Sequence, residues 1–248
     1  MYEKILNLLK VSLAFILMTI IGSLALLLRI ISIGYLTDFN RKYTIAYGSK
    51  FILWCLGIQL INTLPSPPAQ TPHFFTFNHN SFLDGFVLMS IGLTKTRVVM
   101  SDKMILYIPA TLISLSIGVL YIPQKERPIP RLAFFKRLEK RLKKEKCSFI
   151  GSSEGVHEYT NEINAFNRGV YHTALLCQLP VFAIYIYTPQ ASNPMAKFKP
   201  FKKGTIVLEL VDIIPTTNWQ LTNLDHHIEL VREKYIQKDR EIKSLYGI

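Results

Sequence analysis

Cysteine is scarce: Cys55, Cys147 and Cys177 are three in 248 residues, an odd number with no CxxC spacing. This argues against a disulfide framework and against a structural zinc site, and it reads as reduced, buried thiols in a body facing the cytosol. Charge is also short, at 19% where soluble domains carry about 25%. Acidic residues fall furthest behind, with 17 Asp plus Glu facing 29 Lys plus Arg for a net charge of +12. Such a balance favours acidic partners: phospholipid headgroups, phosphorylated cofactors or nucleic acid. No internal repeat and no low-complexity segment is found, which removes solenoids and disordered arrays. Apolar residues are abundant at 49%, so the chain must bury much of itself in protein or in lipid.

The apolar residues are concentrated at the start. Residues 11–28 read VSLAFILMTIIGSLALLL, 18 positions without a charge. As a helix this run is roughly 27 Å long, near the thickness of a bilayer's hydrocarbon core. A secretory signal is the bland alternative, with Lys4 and Lys10 as its basic region. The run is too long for that, lacks a following A-x-A site, and continues past Arg29. A second apolar segment, residues 51–64 (FILWCLGIQLINTL), is shorter and suits the interface or packing back on the first helix. Arg41, Lys42 and Lys50 lie between the two, and positive-inside counting favours a monotopic or re-entrant hairpin with both ends cytoplasmic. Residues 1–64 are therefore expected to form a membrane-anchoring helical hairpin.

Residues 65–72 hold four of the prolines around LPSPPAQTP and read as a linker. From 73 to 248 short β-branched and aromatic runs (73–78, 97–100, 117–123, 147–152, 180–187, 204–213) alternate with helical patterns near 82–92, 102–115, 131–146 and 169–178. That alternation predicts an α/β domain, a mixed sheet flanked by helices, preceded by the N-terminal membrane-associated hairpin. Leu224, Ile228, Val231, Tyr235 and Ile242 keep helical spacing and predict an amphipathic closing helix.

Chemistry gathers where the first of these strands ends, in Asn78-His79-Asn80-Ser81-Phe82-Leu83-Asp84. If a helix begins between them, Asp84 folds back to hold one ring nitrogen of His79 protonated, and the other can take a proton from a hydroxyl. Ser81-x-x-Asp84 also fits a capping box, which accounts for the Asp without catalysis.

NHNSFLD resembles the Asn-His-x-Ser-x-x-Asp block of the glycerophospholipid acyltransferases, and further blocks follow in order. Gly118-Val-Leu-Tyr121-Ile122 is similar to the second, Ser153-Glu154-Gly155 to the third, Phe166-Asn167-Arg168-Gly169 to the element after it, and Leu179-Pro180-Val181 to the fourth. The resemblance spans about residues 73–190. It implies transfer of an acyl group from a thioester donor, acyl-CoA or acyl-ACP, to a lysolipid hydroxyl, most commonly 1-acylglycerol-3-phosphate. His79 would be the general base and Asp84 its partner, with no bound cofactor, no metal and no covalent acyl-enzyme. The apolar hairpin also fits the family's membrane-embedded amino terminus, and with the positive-inside count this puts the expected catalytic domain on the cytoplasmic side of a membrane.

Some positions depart from the family pattern. Gln124 stands where the second block usually ends in Arg. Ser153, Val156 and His157 replace the third block's Pro, Thr and Arg, and Asn167 replaces a Lys. The resemblance assigns those cations to the acceptor's phosphate. Lys125, Arg127 and Arg168 lie one to three positions away and are the expected substitutes, with Glu154 and Gly155 as a turn presenting a carboxylate to the acceptor. For Arg168 the alternative is local pairing at a helix start, and for Glu154 a solvated turn. Fewer cations would equally suit an acceptor with another headgroup, such as an amino-acid-linked or zwitterionic one. His157 and Glu158 form a further acid-base pair by proximity, although a polar turn is their simpler setting.

Residues 125–146 carry ten Lys or Arg against three Glu, with Leu132, Phe135, Leu138 and Leu142 as an apolar stripe. This predicts a helix packed on the sheet whose outer face can attract anionic lipid or a phosphorylated donor. A nucleic-acid role lacks any helix-turn-helix, zinc or aromatic-platform signature.

Overall fold

The computed structural model describes residues 2–67, 71–155, 162–193 and 202–245. Its centre is a seven-stranded sheet in the order β1-β7-β6-β2-β5-β3-β4. The strands are β1 (Ile58–Asn62), β2 (Phe74–Phe77), β3 (Thr96–Ser101), β4 (Leu120–Ile122), β5 (Ser148–Ser152), β6 (Val181–Tyr187) and β7 (Gly204–Ile214). Strands β2 to β6 are mutually parallel. β7 runs antiparallel to β6, and β1 lies parallel to β7. The sheet is thus mixed, as expected.

The helices are α1 (Tyr2–Ile31), a short α2 (Thr37–Phe39) leading into a π-helical turn, α3 (Ala46–Cys55), α4 (Asp84–Ser90), α5 (Ile108–Ile117), α6 (Pro128–Glu145), α7 (Arg168–Leu176) and α8 (Leu224–Leu245). β2 (FFTF) and β6 (VFAIYIY) have no exposed position, because they are central strands covered on both faces. Alternation sends Phe74, Phe149 and Val181 to one face, where Phe134 and Leu138 of α6, Tyr171 of α7 and Tyr235 of α8 complete the core. Phe75, Ile150 and Phe182 go to the other face, packed with Ala14 and Met18 of α1, Ile52 and Leu53 of α3, and Val87 of α4.

This second face alters the expectation for residues 1–64. α1 and α3 do form paired helices, but the apolar run 51–64 is not one helical limb. It closes α3 at Cys55 and then enters the sheet as β1, hydrogen-bonded along β7 from Ile58 opposite Gly204 to Asn62 opposite Leu208. The reason is that Ile58, Leu60 and Leu56 find a ready apolar surface against Ile206 and Leu208, while β7's edge supplies the backbone partners. The N-terminal helices are therefore one layer of the α/β sandwich as well as an apolar appendage.

Arg29, the one charge in a long apolar run, has a local explanation. Its guanidinium donates to the Leu115 carbonyl, and Arg41 donates to the Ile117 carbonyl at 2.6 Å while pairing with Asp38. Two cations so close the carboxyl end of α5, where orphan carbonyls and the helix dipole favour positive charge. α1 and α5 approach closely enough that a Cβ on Gly22 would stand 2.9 Å from Leu112 Cβ. Ile5–Ile31 is long and apolar enough to cross a membrane by length and composition.

Candidate active site

Parallel packing of β2 to β6 puts their carboxyl ends on one edge of the sheet, the usual ligand edge of open α/β folds. His79 lies just beyond β2, Gln124 beyond β4 and Glu154 beyond β5. Asn78 fixes the first of these exits. Its side chain donates to the Ile186 carbonyl at 2.9 Å and accepts from the Ile186 amide at 2.8 Å, replacing one rung of the β2–β6 ladder. The backbone then turns away and the His79 ring emerges, partly exposed.

Asp84 opens α4 and is fully buried. Its Oδ2 accepts from His79 Nδ1 at 2.8 Å, from the Ser81 amide at 2.9 Å and from the Asn80 amide at 3.1 Å. Ser81 Oγ accepts from the Leu83 amide at 3.1 Å. One Asp84 oxygen thus closes the turn and meets the imidazole, whereas the capping box is only half made: the Asp84 amide donates to the Ser81 carbonyl and not to its hydroxyl. The Asn80 and Ser81 amides are thereby committed to Asp84.

Glu154 is buried rather than solvated in its turn. Oε1 accepts from the His79 backbone amide at 3.1 Å and Oε2 from Asn164 Nδ2 at 2.7 Å. Burial pushes its pKa above the usual carboxylate value, with the Asn164 and His79 hydrogen bonds opposing the shift. Gly155 follows at φ +65°, and a Cβ there would sit 2.4 Å from Asn167 Nδ2. Asn167 must stay in place because it caps α7, accepting from the Gly169 amide at 2.9 Å. Ser153, in the position where the resemblance leads one to expect Pro, joins a buried network. It shares a hydrogen bond with Thr76 Oγ1 at 2.5 Å and accepts from the Tyr171 hydroxyl at 3.1 Å, while the Tyr235 hydroxyl donates to the Thr76 carbonyl.

The expected cations divide. Gln124 donates to Ser101 Oγ at 2.6 Å and to Asp102 Oδ1 at 2.9 Å, and Arg127 pairs with Asp102 at 3.1 Å. Arg168 pairs with Asp225 and also donates to the Leu221 carbonyl, which is the local role weighed against acceptor binding. It nevertheless lines, with Lys125, a groove of about 460 Å³ whose other walls are Pro128, Arg131, Leu132, Phe135, Phe166 and Asn167. Sequence reading missed Arg131. Its Nη1 donates to the Pro123 carbonyl at 2.7 Å and its guanidinium lies 5.5 Å over the Phe135 ring, with its pKa lowered by burial. The one signal was the i, i+4 spacing of Arg131 and Phe135 on a basic helix. Asn164 was also missed, since nothing in its local sequence marks it. The groove connects to His79 through Asn167, whose amide donates to the Ser153 carbonyl at 2.6 Å, and through Glu154. His157, Glu158 and Val156 lie outside the described residues.

An acyltransferase family model matches residues 59–187, just over half of the chain. The chain is 27% identical over 182 residues to a 1-acyl-sn-glycerol-3-phosphate acyltransferase of Saccharomyces cerevisiae, covering 70% of this chain and 57% of that protein. It is 23% identical over 146 residues to 1-acyl-sn-glycerol-3-phosphate acyltransferase beta of Homo sapiens, covering 59% and 52%. The chain thus spans a little over half the length of these relatives. In fold it matches the solved 1-acyl-sn-glycerophosphate (LPA) acyltransferase of Thermotoga maritima, with a TM-score of 0.71 at 16% identity over 95% of this chain and 97% of that one.

Proposed function

Since this chain belongs to the acyltransferase family, we propose that it is a membrane-bound enzyme moving a fatty acyl group from acyl-CoA or acyl-ACP to a lysolipid hydroxyl. The preferred acceptor is 1-acylglycerol-3-phosphate, giving phosphatidate, and the catalytic domain stands on the cytoplasmic side. The observation that carries this reading is the bond from His79 Nδ1 to fully buried Asp84 Oδ2 at 2.8 Å, beneath a ring that reaches solvent.

With Nδ1 engaged by Asp84, proton abstraction falls to Nε2. The lysolipid hydroxyl gives its proton to Nε2 as its oxygen attacks the thioester carbonyl. The tetrahedral intermediate collapses with loss of thiolate, which recovers that proton from the imidazolium. Asp84 stabilises the transient cation, and the ester and free thiol balance the reaction without a covalent enzyme intermediate. Lys125, Arg131 and Arg168 around an apolar floor suit a phosphate joined to a glyceride, since guanidinium forks bind phosphate with charge-assisted hydrogen bonds. Arg131 is the better candidate of the two arginines, because Arg168 is already paired with Asp225.

The test is release of free thiol by the purified full chain, given acyl-CoA or acyl-ACP and a panel of lysolipids with phosphate, zwitterionic and amino-acid headgroups. Lysophosphatidate is expected to be the fastest acceptor, and Arg131→Ala to raise its KM by at least tenfold with little change for the donor. Preference for a lysolipid without a phosphate monoester would replace the acceptor. Absence of thiol release with every pair would leave a catalytically idle membrane scaffold.

A further inference from the structure

Several exposed apolar residues fall outside the N-terminal helices. After β3 the chain makes a tight turn, and Ile105, Leu106, Tyr107 and Ile108 are all exposed, Leu106 at 84% and Ile108 at 71%. Four successive exposed apolar side chains are costly in water, and single scattered ones are the norm. The turn is held firmly: Thr111 Oγ1 donates to the Ile105 carbonyl at 2.8 Å and Ser101 Oγ accepts from the Lys103 amide at 3.2 Å. Its side chains are presented on a built loop.

Position gives the feature its meaning. β3 and β4 are parallel to β2 and β5, so the turn after β3 leaves from the same edge of the sheet as His79. On the neighbouring connection, after β4, Ile129 is 82% exposed and Leu132 is exposed as well. Lys103, Lys125 and Arg127 are exposed among them. Apolar side chains interspersed with cations are the composition of a surface that rests in the headgroup region of an anionic bilayer.

Continuity with α1 selects the occupant. α1 and α5 run side by side in the same direction: Phe15 stacks on Phe82 beside the catalytic block, Gly22 meets Leu112 and Ile113, and Arg29 reaches the Leu115 carbonyl. At ~1.5 Å per residue, α1 therefore reaches on the order of 20 Å past the start of α5, with Ile5, Leu8, Leu9 and Leu13 exposed on that length. The apolar end of α1 and the turn at 105–108 project from the same edge.

We infer that residues 105–108 form a second lipid contact, inserted in the bilayer interface beside α1, which sets the catalytic edge of the sheet against the membrane. This rests on the reading of the chain as membrane-bound.

The experiment uses the full chain in vesicles of phosphatidylcholine and phosphatidylglycerol, with plain or brominated acyl chains. Leu106→Trp adds a tryptophan to Trp54 and Trp219, so the emission of the variant minus that of the parent reports position 106. Lys144→Trp serves as the control, because α6 carries the chain from the catalytic edge to the opposite one and Lys144 is exposed near its end. Flotation with the vesicles is measured first. The expected result is at least a threefold drop in the added emission at 106 on bromination, and under 20% change at 144. Protein that floats but shows no quenching at 106 overturns the second contact while leaving α1 as the anchor. Protein that does not float overturns the membrane reading itself, and this inference with it.

Discussion

Replacing Asp84 by Asn tests the proposed mechanism most directly, because the change keeps shape and removes charge. Asp84 Oδ2 receives three donors, the His79 ring and the Asn80 and Ser81 amides. Among the described residues its Oδ1 is buried without a partner. Asparagine can keep its oxygen at the Oδ2 position, so all three bonds survive as neutral ones at a loss of ~1 kcal/mol each. Its NH₂ then occupies the Oδ1 position with no acceptor, a further cost that removal of a buried charge offsets. The net destabilisation is about 3 kcal/mol, seen as a melting point lower by roughly 5–10 °C, and the protein stays folded. The reaction suffers more selectively. Imidazolium forms in the transition state, and loss of its carboxylate should lower kcat by about 10²- to 10³-fold with KM for both substrates within a few-fold. The assay is thiol release at saturating lysolipid, alongside thermal melting followed by circular dichroism. His79→Ala should lose at least as much, and Asp84→Asn added to it should cost little more, because the two groups act as a unit. A folded Asp84→Asn protein within about threefold of the parent kcat, or full additivity in the double variant, would refute the assignment of Asp84 as the orienting partner.

Other consequences follow from the same geometry. Glu154 has a raised folded-state pKa, so the folded protein holds its proton more tightly than the unfolded chain. Its contribution is therefore greatest below the ordinary Glu value and lost as pH rises through the folded value. Melting points of the parent should fall relative to Glu154→Gln across that acidic window, and parallel curves would count against a buried carboxyl. Gly155→Ala forces a left-handed alanine against Asn167 and loosens the α7 cap, with an expected cost of ~2 kcal/mol, measured by denaturant unfolding. A chain beginning at residue 65 would lose β1, Ala14, Met18, Ile52 and Leu53 from the core. It should aggregate on expression, and a monodisperse, active product by gel filtration would show that the first 64 residues are dispensable to the fold.

The sequence by itself determined the elements whose signal is local. The 18-residue uncharged run had to be a long apolar helix, and each of the six β-branched and aromatic runs holds a strand. The His79–Asp84 pair was also legible, because five residues spanning a strand exit and a helix start leave few ways for the carboxylate to turn. What stayed hidden depended on partners distant in the chain. Residues 58–62 are apolar enough for helix or strand, and only the free edge of β7, some 145 positions later, makes them β1. Glu154 became a buried ligand of the His79 amide rather than a solvated turn because β5 lies next to β2. Arg168 was drawn towards Asp225 of α8, and Arg131, marked in the sequence only by its i, i+4 spacing from Phe135, was brought into the groove by the packing of α6 beside α7. Periodicity and turn chemistry act over a few residues and can be read along the chain. Which cation faces a ligand and which faces a carboxylate is settled by contacts across dozens of residues, and those exist only once the sheet order is formed.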